Sequence, residues 1–123
     1  MYDQELLHEK LLQVSAALSK ISRRFQSIRS PEDFIENEHG QDMLDSICMM
    51  LMAVGENFKS IDRITSGQLL EQYPEINWKG VKGIRDVISH QYFNIDPEEI
   101  FYICSHDLDQ LRGVTEMMIK QMQ

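Results

Sequence analysis

Residues 43–61, MLDSICMMLMAVGENFKSI, decide the fold. Leu44, Ile47, Leu51, Val54, Phe58 and Ile61 recur at steps of three and four, the repeat that lines one face of an α-helix. Met43, Met49, Met50 and Met52 widen that stripe, which predicts a central helix contacted on several sides. Toward the N-terminus, Leu7, Leu11, Val14, Leu18, Ile21, Phe25 and Ile28 repeat the pattern and predict a long amphipathic helix over about residues 4–29. Between the two, Ser30-Pro31-Glu32-Asp33 offers an N-cap, a proline at the first helical position and acid in the first turn. It predicts a short helix that closes before Gly40. Toward the C-terminus, a short helix from about Ser66 to Glu71 should end before Tyr73-Pro74, because proline restricts the residue ahead of it. Asn77 can cap a helix starting at Trp78, with Val81, Ile84 and Ile88 on one side. Asp96-Pro97-Glu98-Glu99 reads as a capping box opening a last helix that carries Ile100, Ile103, Leu108, Leu111, Val114 and Met118. No segment alternates with period two for long enough to be a strand. The reading is an all-α antiparallel bundle of four to five helices.

A chain of 123 residues argues for a single domain, residues 1–123, large enough to bury one core without a metal or disulfides. Three prolines and six glycines exclude a disordered or collagen-like chain. Cys48 and Cys104 sit among apolar residues and read as small buried thiols, not as a disulfide framework or metal set. Met1-Tyr2-Asp3-Gln4-Glu5 lacks the basic start and apolar run of a signal peptide. The longest apolar stretch, Ile47 to Val54, falls far short of the ~20 residues a membrane helix needs. These features read as a soluble, cytoplasmic protein.

The net charge of -8 speaks against phosphate-backbone binding, which needs clustered Lys and Arg. The charge is uneven, however. Residues 32–45 carry six acids and no base, and residues 96–109 carry five acids and no base. Outside those stretches twelve bases face nine acids. Arg23, Arg24 and Arg29, with Lys79, Lys82 and Arg85, are candidates for phosphate contacts on an acidic body, and the acidic stretches could receive a protein partner.

Several constellations look chemical in print and are better read as structural. Glu5-x-x-His8 and Glu36-x-x-His39 have the spacing of carboxylate–histidine metal ligands, but Glu5 faces away from the apolar stripe and Glu36 and His39 fall in the linker before Gly40. Gly80-Val81-Lys82-Gly83 matches the GxxG loop of KH domains, which needs strands this chain lacks; two small residues one turn apart more simply admit a neighbouring helix. Ser105-His106-Asp107 cannot converge as a triad must, since its members are sequence neighbours. Gly55 inside an apolar helix costs about 1 kcal/mol against Ala and so calls for a close neighbour such as another helix or Trp78. Glu56 reads as a structural partner for a backbone group or for Arg85.

Arg85-Asp86-Val87-Ile88-Ser89-His90-Gln91-Tyr92 is different. An imidazole titrating near neutral pH can exchange protons with a ribose 2′-OH or a leaving oxygen, and an always-charged guanidinium can stabilise charge developing on a phosphate. Spacing alone favours a plainer account, in which Arg85 pairs with Asp86 or another surface carboxylate and His90 ends a helix. Arg85 and His90 stand five residues apart, about 140° around an ideal helix, whereas Asp86 and His90 share a face, so that the Asp86 side chain could orient the imidazole, and Arg85 and Tyr92 share another. An Arg–His site within one chain therefore needs the helix to unwind near His90, or a two-fold partner to bring two copies together.

Ala53-Val54-Gly55-Glu56, Tyr73-Pro74-Glu75-Ile76-Asn77-Trp78, Gly83-Ile84-Arg85-Asp86 through His90-Gln91-Tyr92, and Asn94-Ile95-Asp96 together resemble the HepT-like branch of the HEPN superfamily. The resemblance runs over nearly the whole chain. It implies a HEPN-like helical-bundle ribonuclease toxin that acts as a homodimer, with no metal and no cofactor. The family's catalytic Arg and His fall on Arg85 and His90, with Asp86 in a supporting place where Asn is commoner. The family's tyrosine falls on Tyr92, the acceptor of AMP from a minimal nucleotidyltransferase antitoxin of the MntA type. Lys79, Lys82, Arg23 and Arg24 are then candidates for weak RNA contacts. The alternative is a non-catalytic helical binding or regulatory subunit of a nucleotidyltransferase.

Overall fold

The computed structural model describes residues 2–123. It contains helices α1 (Gln4–Phe25), α2 (Glu38–Ile64), α3 (Trp78–His90), α4 (Pro97–Tyr102) and α5 (Leu108–Gln121), and no strand among the described residues. Short 3₁₀ turns occupy Pro31–Phe34, Leu70–Gln72 and Tyr92–Asn94, and a π-helical turn, Ile103–Asp107, joins α4 to α5 without a break.

Side-chain contacts fix the directions. Asn57 of α2 donates to the Lys10 carbonyl at 3.3 Å and to Gln13 at 3.0 Å, while Arg24 further along α1 reaches Met50, earlier in α2. The two helices are antiparallel. Ser15 with Glu116 (2.6 Å) and Ser22 with Arg112 (3.2 Å) set α5 antiparallel to α1 in the same way. Lys82 beside Asp62 and Arg85 beside Glu56 set α3 antiparallel to α2. The core runs through the expected stripes: Leu7, Leu11, Val14, Leu18 and Ile21 from α1, and Leu44, Ile47, Leu51, Val54, Phe58 and Ile61 from α2, are all buried. Met43, Met50 and Met52 flank this core as expected, but Met49 is 71% exposed and belongs to the outer face of α2.

Four local expectations are corrected. The first helix stops at Phe25, and Ile28 returns to the core from the following turn instead of from the helix. The segment after Ser30 forms only a 3₁₀ turn, and Gly40 lies inside α2 instead of ahead of it. Asn37 caps that helix by accepting from the Gly40 N–H at 2.8 Å, and Gly40 is buried because the Asp33 carbonyl lies where a Cβ would stand. His39 is accordingly in the first turn of α2. The region from Ser66 narrows to a 3₁₀ turn at Leu70–Gln72, after Ser66 and Gly67 reverse the chain with φ of 53° and 78°. The last helix is interrupted by the π turn. Ile100, Cys104 and Leu108 are buried at successive steps of four, each of which over-rotates an α-helix by about 40°; the wider turn absorbs the drift.

The glycine that shapes the molecule is Gly55. A Cβ there would stand 2.7 Å from both the Val81 carbonyl oxygen and Ile84 Cγ2, so α3 lies directly on α2 at this level. Gly80 and Gly83 do not admit a neighbour: a Cβ at Gly83 meets nothing within 4 Å, and one at Gly80 meets only the Asn77 cap. The start of α3 is anchored by Asn77, which accepts from the Gly80 N–H at 3.1 Å, and by Trp78, whose indole packs on Phe58 at 4.9 Å and donates to the Tyr73 carbonyl. Beyond that anchor the hold is slight, since Ile88 is the one buried residue of α3.

Overpacking a tight contact costs about 1–3 kcal/mol, and a backbone carbonyl cannot rotate away, so Gly55→Val should lie at the upper end, read as a lower urea midpoint. Cys48 and Cys104 supply a second expectation. Burial pushes both thiols up to about 12, aided by the Asp45 charge for Cys48 and by Cys48 for Cys104. Unfolded thiols lose their protons near their ordinary value of 9 while the folded ones keep them, so stability present below that pH is lost as pH rises toward 12. Both thiols should be silent to Ellman's reagent at pH 8 until guanidinium is added, and the alkaline loss should shrink in the Cys48→Ala/Cys104→Ala double variant.

Candidate active site

The Arg85–Tyr92 segment ends α3 and leaves it. Arg85 stands on an exposed flank, its side chain 52% accessible, with Nε 3.4 Å from Glu56 Oε1 on α2. The partner of Arg85 is therefore Glu56, not the adjacent Asp86. Glu56 is brought there by its predecessor: α3 rides over Gly55, and the Arg85 amide nitrogen is 3.9 Å from the position of a Cβ at that glycine.

His90 is the last residue of α3, and the helix holds its form up to it. The backbone departs only at Gln91 (φ -114°, ψ 22°), so the five residues from Arg85 to His90 keep their helical divergence of about 140°. Tyr92 lies beyond the helix end, so the face it would share with Arg85 on a continuous helix does not exist. His90 Nδ1 is 2.7 Å from the Asp86 backbone carbonyl. A carbonyl can only accept, so Nδ1 carries the proton and Nε2 presents its lone pair outward. The imidazole is oriented by the backbone of Asp86 rather than by its carboxylate, which corrects the expected role of that side chain.

Tyr92 is 63% exposed and meets the 91% exposed Phe93 edge-on at 4.9 Å. Val87, one turn before, is also exposed, so the end of α3 and the turn after it form an uncovered apolar and aromatic surface beside His90. The sequence marks Tyr92 but gives no warning of Phe93, whose burial would have been the default for its type.

The expected phosphate contacts are not gathered into one patch. Lys82 is held by Asp62 at 2.7 Å, and Arg24 Nη1 points to Met50 Sδ at 3.2 Å. Lys79 and Arg23 are exposed and make no ion pair among the described residues. No three His, Cys, Asp or Glu side chains converge as metal ligands among the described residues. In the π turn, Ser105 donates to the Phe101 carbonyl, away from His106, whose ring stacks on Tyr102 at 4.6 Å and bonds Asp107; the three do not act as a triad. Among the described residues no helix is long and apolar enough to cross a membrane.

Residues 14–118 match the model of the family described as "Ribonuclease HepT-like". Two proteins of Methanocaldococcus jannaschii, "Putative RNase MJ0125" and "Putative RNase MJ1216", are each 27% identical to this chain over 92 residues, covering 75% of it and 73% and 70% of their own lengths. No solved structure matches. An all-α bundle, an Arg85–His90 pair on the helix that rides over Gly55, and a family match over most of the chain agree: the protein belongs to the HepT-like ribonuclease family, in the HEPN superfamily.

Proposed function

We propose that this protein is a metal-independent endoribonuclease toxin, acting as a homodimer and silenced by AMP transfer to Tyr92. The observation that carries the reading is the 2.7 Å bond from His90 Nδ1 to the Asp86 carbonyl, which occupies that nitrogen and leaves Nε2 to meet a substrate. His90 Nε2 takes the proton of a ribose 2′-OH; the 2′ oxygen bonds to phosphorus and the bond to the 5′ oxygen breaks. The imidazolium so formed returns that proton to the departing 5′ oxygen, which restores the ring to its starting state. The products are a 2′,3′-cyclic phosphate and a 5′-OH. Arg85 faces the charge that builds on the phosphoryl oxygens, and this guanidinium supplies the positive charge a metal would otherwise bring.

The homodimer follows from direction. Arg85 and His90 diverge on an intact helix, and a two-fold axis near the exposed end of α3 would turn divergence within one chain into convergence between two. Val87, Tyr92 and Phe93 are the uncovered residues at that end. A binding-only subunit of a nucleotidyltransferase, the competing reading, gives a tautomer-fixed His90 no task.

Exposure supports Tyr92 as the AMP acceptor. Tyr73 is buried and its hydroxyl engages Gln121 at 3.0 Å, while one face of the Tyr102 ring is covered by His106. The Tyr92 oxygen would attack the α-phosphorus of ATP with release of pyrophosphate. The phosphodiester left two residues from His90 repels incoming RNA.

Cleavage should persist in EDTA and yield cyclic phosphate ends. It should fall by at least about 100-fold in folded His90→Ala and Arg85→Ala proteins, consistent with the loss of a general base or a charge-stabilising group; wild-type rates in either would remove that residue from the mechanism. Co-expression with the cognate nucleotidyltransferase should add AMP-sized mass that Tyr92→Phe abolishes, and modification mapping to Tyr102 would reassign the acceptor.

A further inference from the structure

Glu56 is not an ordinary surface acid. Its side chain is 43% exposed, yet Oε1 is shielded from solvent and makes no hydrogen bond of acceptable geometry. Its neighbours are Arg85 Nε at 3.4 Å and Lys59 Nζ at 3.6 Å. A shielded carboxylate oxygen without an aligned donor is costly, and only the nearby cations offset it.

We infer that Glu56 is a positioning residue for Arg85: it holds the Nε edge of the guanidinium so that the Nη1–Nη2 edge is left to meet the scissile phosphate. Three features carry this. First, the nearest guanidinium nitrogen is Nε, at 3.4 Å; a carboxylate competing with RNA for Arg85 would engage the terminal nitrogens, where phosphate binds bidentately. Second, Arg is a long side chain with several free torsions, and a contact at Nε fixes them before substrate arrives. Third, Lys59 shares the same oxygen, so Glu56 restrains Arg85 without cancelling its charge. The position is set by the backbone, since Gly55 is where α3 touches α2 and Glu56 follows it. The inference rests on the ribonuclease reading of Arg85 and extends it to a residue on a second helix.

The test uses the full chain with Glu56→Ala and Glu56→Gln, measuring kcat, KM, thermal midpoint and the Arg85 Nε–H resonance, assigned by its loss in Arg85→Lys. Glu56→Ala should lower kcat by about 10- to 100-fold with the midpoint kept, as displacement of a reacting group does. Its Nε–H signal should broaden into the solvent-exchanging arginines. Glu56→Gln keeps an acceptor at the same reach and should recover most of kcat. Unchanged kcat in folded Glu56→Ala overturns the inference, and so does a lower KM, which would make Glu56 a competitor for Arg85. If Glu56→Ala unfolds, Glu56→Gln decides alone: a kcat as low as that of Arg85→Ala excludes positioning by an acceptor. Wild-type protein that cuts no RNA but shows the ordered Nε–H signal would defeat the ribonuclease reading and leave the contact standing.

Discussion

The site depends on how closely α3 can approach α2, and that distance is set at Gly55. With the Val81 carbonyl and Ile84 Cγ2 both 2.7 Å from where a Cβ would stand, no other residue fits without pushing the helices apart. The approach does more than close a gap. It delivers the next residue of α2, Glu56, to Arg85, and it lets a helix with a single buried residue, Ile88, be held by contact instead of burial. The Trp78–Phe58 packing and the Asn77 cap secure the start of the same helix. Toward its far end Ile88 is buried, and His90, two residues on, is exposed.

Charge is organised on the same helix. The chain is acidic overall, and a body of net charge -8 repels polyanions at long range. The cations that might answer this are partly engaged inside the fold, Lys82 by Asp62 and Arg24 against Met50. On the proposed reading, recognition of a phosphate would therefore come from a few short-range contacts, Arg85 among them. Such contacts are precise but weak in number, which suits cleavage of a positioned phosphodiester more than tight, general coating of nucleic acid.

The stripes of α1 and α2 were legible because apolar residues at steps of three and four define a buried face whatever the neighbours are. What depends on neighbours was not. Gly40 looks like a helix stop and is instead a gap for the Asp33 carbonyl. Gly80 and Gly83 look like a contact stripe and face open space or their own cap, while the contact falls at Gly55. Steps of four from Ile100 to Leu108 read as an ordinary helix, and only the twist they accumulate calls for the π turn at Ile103–Asp107. At the site, Arg85 and His90 could be named from the sequence, and Arg85 was one of two partners open to Glu56; the partner of His90 is the Asp86 carbonyl in place of its carboxylate, which no spacing distinguishes.

The same carbonyl explains how an aspartate can stand beside the proposed catalytic pair. If the Asp86 carboxylate oriented His90, its charge would be tied to the imidazole and an amide in its place would alter the basicity of the site. The carbonyl does that work, and every residue has one. The Asp86 side chain is exposed and makes no ion pair among the described residues, so its influence on the site is a solvent-screened charge. An amide there would remove some repulsion toward phosphate while leaving the tautomer of His90 fixed. On the proposed ribonuclease reading, the identity of residue 86 would tune the approach of a polyanion, while the helix backbone, through the i to i+4 reach from Asp86 to His90, orients the imidazole.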